Sequence, residues 1–224
     1  MSDFKASPSA GLVTGTTAKA VVEGFLATVL DIVVAAWPHV CDGTIDGTTP
    51  EDDITNKLRW AMDAEKLQRV PPPALRFERE TQRDDPNRRF ATGLIDIYVV
   101  YSWDLAEYIA MECKKVNDCH ETPAKKYIEE GVCRFSTGKY SPNHPFGAMV
   151  GYVTRGTTDS TAQFLGAKIV AFDRKVTGLV AKWGWRSETR FGAIPNLHST
   201  QHRQLRTTNT ILLVHLFLAL PCKN

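Results

Sequence analysis

The apolar and polar positions along the chain fall into runs that predict its elements. Over residues 18–36, Val21, Val22, Phe25, Leu26, Val29, Leu30 and Val33 recur at intervals of one helical turn, the mark of a helix with one buried face. Glu23 and Asp31 interrupt that run, so it reads as a core-packing helix and not as a membrane span. A Gly/Asp/Thr loop follows, and Thr49-Pro50 predicts an N-cap with proline at the first helical position, leading into EDDITNKLRWAMDAEK. The acidic first turn suits the positive end of the helix dipole. Pro71 to Pro73 stop that helix and begin an extended segment, LRFERE, and TQRDDPNRR after it has the composition of a turn.

Residues 93–101 (GLIDIYVVY) and 107–114 (EYIAMECK) are rich in β-branched and aromatic residues and are joined by Ser-Trp-Asp-Leu-Ala, which predicts a hairpin. Residues 123–134 read as a helix, GKYSPNHPFG as a loop, 161–175 as a helix and 210–220 as a buried strand, while 183–191 fit no single pattern. The first 17 residues form a polar leader, and residues 18–224 lack any repeat or linker that would divide them, so they read as one domain.

The hairpin brings in candidate chemistry. With its centre near Asp104, Asp96 faces Glu112 and Leu94 faces Lys114, all on one side, because strand side chains alternate. The other side carries Ile95, Ile97, Val99 and Tyr101 against Ile109, Met111 and Cys113, and is almost wholly apolar. Two adjacent carboxylates resist ionising together unless a cation joins them. Hard oxygen ligands suit Mg²⁺, with Mn²⁺ as a substitute, and Lys114 would stabilise developing negative charge. A plainer reading of the same residues is a Glu112–Lys114 ion pair with Asp96 at a strand end.

Charge sharpens this picture. The chain has 224 residues and a formal charge of +2, but residues 1–120 carry 13 Lys and Arg against 19 Asp and Glu, a net −6, and residues 121–224 carry 14 against 6, a net +8. An acidic site beside a basic surface is what a metal-dependent enzyme acting on a polyanion needs. Lys125, Lys126, Arg134, Lys139, Arg203 and Arg206 are the candidate phosphate contacts. Tyr140, His144 and Phe146 could stack on a nucleic acid or pack locally. The five cysteines have no framework spacing and the N-terminal residues MSDFKASPSAGLVTGTT show no export-signal pattern, which points to a soluble cytoplasmic protein. CRFSTGK at 133–139 lacks the first glycine and the final Ser/Thr of a phosphate loop, and His198-Ser-Thr-Gln-His202 lacks the glutamate of a zinc protease helix.

Gly93-Leu94-Ile95-Asp96, followed 16 residues after the aspartate by Glu112-Cys113-Lys114, resembles the signature of the PD-(D/E)xK, or restriction-endonuclease-like, nucleases. The preceding helix that begins Glu51-Asp52-Asp53 is similar to one that often supplies a further acidic residue in that family. The resemblance covers roughly residues 50–135, and the family's proline before the aspartate is replaced by Ile95. It implies an α/β fold with an αβββαβ core, a mixed central sheet flanked by helices, and an extra N-terminal helix. It further implies Asp96, Glu112 and the Cys113 carbonyl as metal ligands and Lys114 as the catalytic lysine, with Glu51, or Asp52 or Asp53 in its place, joining the site. The expected activity is Mg²⁺-dependent hydrolysis of DNA, with RNA also open, in the manner of small bacterial defence nucleases. A homodimer or an activating partner protein fits such a role. The alternatives are a non-catalytic nucleic-acid-binding or assembly subunit of the same fold, and a hydrolase of small phosphorylated substrates.

Overall fold

A computed structural model of the chain describes residues 16–79, 95–101, 108–142, 144–206 and 209–221, without the side chains of 16–18. Nearly all of the leader, the TQRDDPNRR turn, Leu94 and the hairpin connection lie outside the described residues.

Helix α1 (Thr16–Val40) uses the expected stripe: Leu26, Val29, Leu30 and Val33 are fully buried. It runs four residues past the predicted end because its last turn is tied to the sheet. The Trp37 indole donates to the Ala219 carbonyl at 3.0 Å and stacks on Tyr152, and Val40 is buried. Its segment Lys19–Val40 is long and apolar enough to cross a membrane by length and composition, but here that apolar face packs into the core. Helix α2 (Glu51–Leu67) follows, with Pro50 itself in the N-cap position and no side-chain cap. The Thr49 hydroxyl instead accepts from the Asp46 N–H at 2.9 Å, so it closes the preceding loop.

The strands are β1 (Arg76–Glu78), β2 (Ile97–Val100), β3 (Tyr108–Asn117), β4 (Phe146–Arg155), β5 (Arg186–Ser187), β6 (His198–Arg203) and β7 (Thr210–Ala219). They form one seven-stranded mixed sheet in the order β1-β2-β3-β4-β7-β6-β5. β3, β4 and β7 run parallel in the middle, and the strands on either side pair antiparallel. β2 and β3 pair Ile97 with Met111 and Val99 with Ile109, the register that a hairpin centred at Asp104 predicts.

Between β3 and β4 the chain crosses one face as α3 (Glu121–Lys126), a π-helical segment (Tyr127–Val132) and α4 (Cys133–Ser136). After β4 come α5 (Thr158–Ala171) and α6 (Arg174–Thr177). α5 starts three residues earlier than periodicity suggests because Thr157 and Ser160 form a reciprocal capping box. It stops at Ala171, short of the expected 175, because Asp173 caps α6 anew. The His198–His202 pair sits on a strand, and buried His202 bonds the Thr177 carbonyl and the Thr200 hydroxyl, so no helical metal pair forms.

The sheet is covered on both faces. One core joins α1 and α2 to Ile97, Val99, Ile109, Met111 and Cys113, and the other joins α3, the π segment, α4 and α5 to Ala110, Met149, Leu213 and Phe217. The polar side of the hairpin is therefore covered as well as the apolar one: Glu112 is fully buried and Lys114 is 8% exposed. Ile95 also departs from its expected face and joins the second core, because regular alternation begins only at Ile97.

Periodicity reveals neither β5 and β6 nor the longer β4, whose first two residues fall in the expected GKYSPNHPFG loop. The first eight residues of β4 are buried, as central parallel strands are, so no alternation marks it. Gly147 and Gly151 weaken its strand propensity further, yet both are needed for packing. A Cβ on Gly147 would stand 2.5 Å from the Phe135 ring, and one on Gly151 would stand 2.7 Å from Phe217. Gly147→Ala is expected to cost about 1–3 kcal/mol through overpacking, read as a lower urea midpoint with an unchanged slope; an unshifted midpoint would show that Phe135 moves aside freely.

Candidate functional site

The site forms where the sheet opens. Pairing of β2 with β3 ends at Ile97 opposite Met111, while β3 continues to Asn117. Beyond that point the β3 edge facing β2 has lost its strand partner, and buried backbone donors left unpaired are costly. Two carboxylates take over the ladder. Asp96 Oδ2 accepts from the Cys113 N–H at 2.8 Å, and Glu51 Oε2 accepts from the Lys115 N–H at 2.7 Å. The Cys113 carbonyl opens into the same gap.

Lys114 reaches into this gap. Its ammonium lies 2.7 Å from Glu112 Oε1, 2.8 Å from the Cys113 carbonyl oxygen, 3.1 Å from Glu51 Oε1 and 3.5 Å from Asp96 Oδ2. The structure thus brings together Glu51, Asp96, Glu112, Lys114 and the Cys113 carbonyl. Asp52 and Asp53 are exposed, and Asp52 pairs with Arg79 at 3.1 Å. Side-chain exposure rises from 0% at Glu112 through 13% at Asp96 to 32% at Glu51, so the cluster is approached from the α2 end.

A second cation joins from the other face. Arg134 donates to Glu112 Oε1 at 2.6 Å and to the Tyr140 hydroxyl at 2.7 Å. The π segment passes close above, where a Cβ on Gly131 would collide with Met149 and sit 3.8 Å from Glu112 Cγ. Sequence spacing placed Arg134 among the phosphate contacts and Tyr140 in an aromatic loop. Their place beside Glu112 follows from the crossover, which carries no local signal.

Burial pushes the Glu112 carboxyl up to about 7, with Asp96 adding to the rise and Lys114 and Arg134 opposing it. Asp96 is raised too, again mainly by burial and against Lys114 and the Cys113 N–H. For Lys114, burial works toward the neutral amine, but Glu112, Asp96 and Glu51 outweigh it and hold the ammonium charged. Both partners of this ion pair are therefore shifted upward, which favours the Lys114 cation and disfavours the Glu112 anion. Three carboxylates face two cations, and to the larger cost of burial the neighbouring negative charge adds a smaller one. Glu112 Oε2 is buried with no hydrogen-bond partner. Among the described residues no three His, Cys, Asp or Glu side chains converge as a metal-holding group; where the carboxylates meet, the Lys114 ammonium stands between them.

The remaining basic candidates are distributed over the second half of the chain. Lys125 and Lys126 are exposed on α3, and Lys125 is 3.8 Å from Glu129 and lines a cleft of about 530 Å³ with Lys168 and Phe172 of the α5 region. Lys139 lies over the Tyr140 ring, and exposed Arg206 packs beside Gly138, so these two neighbour Arg134 in the same corner. Arg203 is exposed at the end of β6, where its N–H bonds the Gly178 carbonyl. Of the aromatic loop residues, Phe146 is buried at the start of β4, and His144 accepts or donates to the Tyr101 hydroxyl at 2.8 Å. A buried polar chain that no motif suggested runs Tyr127–His215–Thr200–His202 through contacts of 2.7–2.9 Å.

Comparison with protein-family models, curated proteins and solved structures finds no match to this chain.

The raised Glu112 carboxyl gives a pH prediction for metal-free protein. With the folded value near 7 and the ordinary value at 4.5, the unfolded chain loses this proton first, so stability contributed here falls as pH climbs between those values. In EDTA, Glu112→Gln should gain stability relative to the parent over that window, by roughly 3 kcal/mol. Urea denaturation at pH 5 and pH 8 measures it, and a difference that stays constant with pH would locate the cost elsewhere.

Proposed function

We propose that this chain is a Mg²⁺-dependent nuclease of the PD-(D/E)xK class that hydrolyses phosphodiester bonds in DNA. The observation that carries this reading is the meeting of Asp96, Glu112, the Cys113 carbonyl and Lys114 in one gap between two strands. The order α2-β1-β2-β3-α3-β4 supports the αβββαβ core that the motif implies.

The residues fit a divalent ion. The donor set is all oxygen, as Mg²⁺ prefers. Glu112 Oε2 is a buried oxygen without a partner, and the cluster already surrounds a positive charge. Asp96, Glu112 and the Cys113 carbonyl would hold the ion, with Glu51 at the open side. Bound there, it would polarise the phosphate and lower the pKa of a coordinated water. Lys114 is held protonated by its carboxylate neighbours, so it serves as a hydrogen-bond donor to a water or phosphate oxygen and stabilises charge as the bond breaks. Glu51 and Asp96 also position the β3 backbone, because each accepts one of its N–H groups. Lys139 and Arg206, in the corner beside Arg134, and the exposed Lys125, Lys126 and Arg203 supply the basic surface for the nucleic-acid backbone. As in the small defence nucleases it resembles, such a chain would serve as an effector, with a partner protein or a second copy supplying control.

A non-catalytic nucleic-acid-binding subunit is the second reading, and the ammonium at the centre of the carboxylates is the observation in its favour. Incubation of plasmid, single-stranded DNA and RNA with Mg²⁺ or EDTA separates the two. Cleavage only with Mg²⁺, lost at least 100-fold in Asp96→Asn and Lys114→Gln, with circular dichroism verifying that each variant is folded at the assay temperature, is the expected result. Retardation of DNA without cleavage would establish the binder instead.

A further inference from the structure

We propose that Lys114 is a built-in counter-ion seated in the cation site, and that a divalent metal binds by displacing its ammonium. This rests on the metal-dependent reading above and specifies how the metal enters. Three carboxylates and one carbonyl direct oxygens at a single point, and the atom at that point is Lys114 Nζ, at 2.7, 2.8, 3.1 and 3.5 Å. The first three are hydrogen-bonding distances to an ammonium and the last is that of an ion pair. Mg²⁺ requires oxygens at 2.0–2.1 Å, so the set is expanded around Lys114 and must contract around a metal. That accounts for the lack of a ready metal-holding group among the described residues.

Both cations cannot share the seat, because two positive charges at hydrogen-bond distance in a poorly solvated gap repel strongly. Lys114 is the one that can leave. Its side chain is 10% exposed and sits on a flexible four-carbon stem. Arg134 differs in place: it touches Glu112 Oε1 and the Tyr140 hydroxyl from the α4 side and makes no ion pair with Asp96 or Glu51. With Oε1 taken by two donors, Glu112 Oε2 is the oxygen left for the incoming ion. The device sets a threshold of metal concentration: below it Lys114 neutralises the carboxylates and protects the fold, and above it the same lysine is released toward substrate.

The test is metal binding without substrate, followed by electron paramagnetic resonance of free Mn²⁺ for the parent, Lys114→Met and Arg134→Met proteins. Lys114→Met should bind Mn²⁺ at least tenfold more tightly than the parent, and Arg134→Met should change affinity by less than about threefold. Equal or weaker binding by Lys114→Met overturns the proposal, and so does an equal gain in both variants, which would reveal only a general loss of positive charge. Absence of Mn²⁺ binding by all three proteins would instead defeat the metal-dependent reading itself. A second measurement needs no variant. Reductive methylation of the parent protein, mapped by peptide mass spectrometry, should label Lys114 faster in Mg²⁺ than in EDTA; unchanged or slower labelling overturns the displacement.

Discussion

The structure depends on what happens to β3 after it loses β2. A strand edge inside a protein must find partners for its N–H groups, and here the partners are charged. Asp96 and Glu51 complete the ladder at Cys113 and Lys115, so the backbone itself recruits two carboxylates to one gap. Glu112 enters the gap because side chains alternate, and Lys114 follows because it is two residues on. Structural need and candidate chemistry thus have one origin: carboxylates that satisfy the edge are held where a cation would be useful. The cations are then a condition of folding, since anions at this depth without them would be strongly disfavoured.

Much of this was legible in the sequence, and the reason is the period of two. Once the hairpin centre is placed at Asp104, the register of Ile97 with Met111 follows, and Asp96 must lie near Glu112. The prolines and the acidic turn marked α2, which brought Glu51 within reach. The burial of the site was not legible. A half-buried hairpin and a doubly covered one differ in what packs on the second face, and that cover comes from α3, the π segment and α4, elements whose own periodicity says nothing about where they land. β4 was hidden for a related reason. A strand buried on both faces has no alternation, and Gly147 and Gly151 are present because Phe135 and Phe217 occupy the space of their side chains.

Arg134 shows how sequence alone can mark a residue type and leave its nearest partners unseen. Positive charge after the hairpin fits a phosphate surface, and Lys139 and Arg206 keep that possibility near the same corner. Arg134 itself turns inward to Glu112, backed by Tyr140. The turn is possible because the π segment, which presents Gly131 to the sheet, brings the crossover close to it. π segments inside helices are frequent at functional sites, and this one lies directly over the deepest carboxylate.

The charge balance of the cluster gives the last step. Two cations and three carboxylates leave one negative charge in excess, and the excess is felt where solvent is least accessible, at Glu112. Its Oε2 has no donor, although a side chain of ordinary structural purpose would have been hydrogen-bonded or replaced by an apolar one at less cost. A third donor would have quenched that oxygen and removed the excess. Its absence leaves a buried oxygen whose lost hydration is not replaced, and that burial, with the Asp96 charge adding to it, raises the Glu112 carboxyl to about 7. The unpartnered oxygen and the raised carboxyl therefore have a common origin, the depth at which β3 holds Glu112.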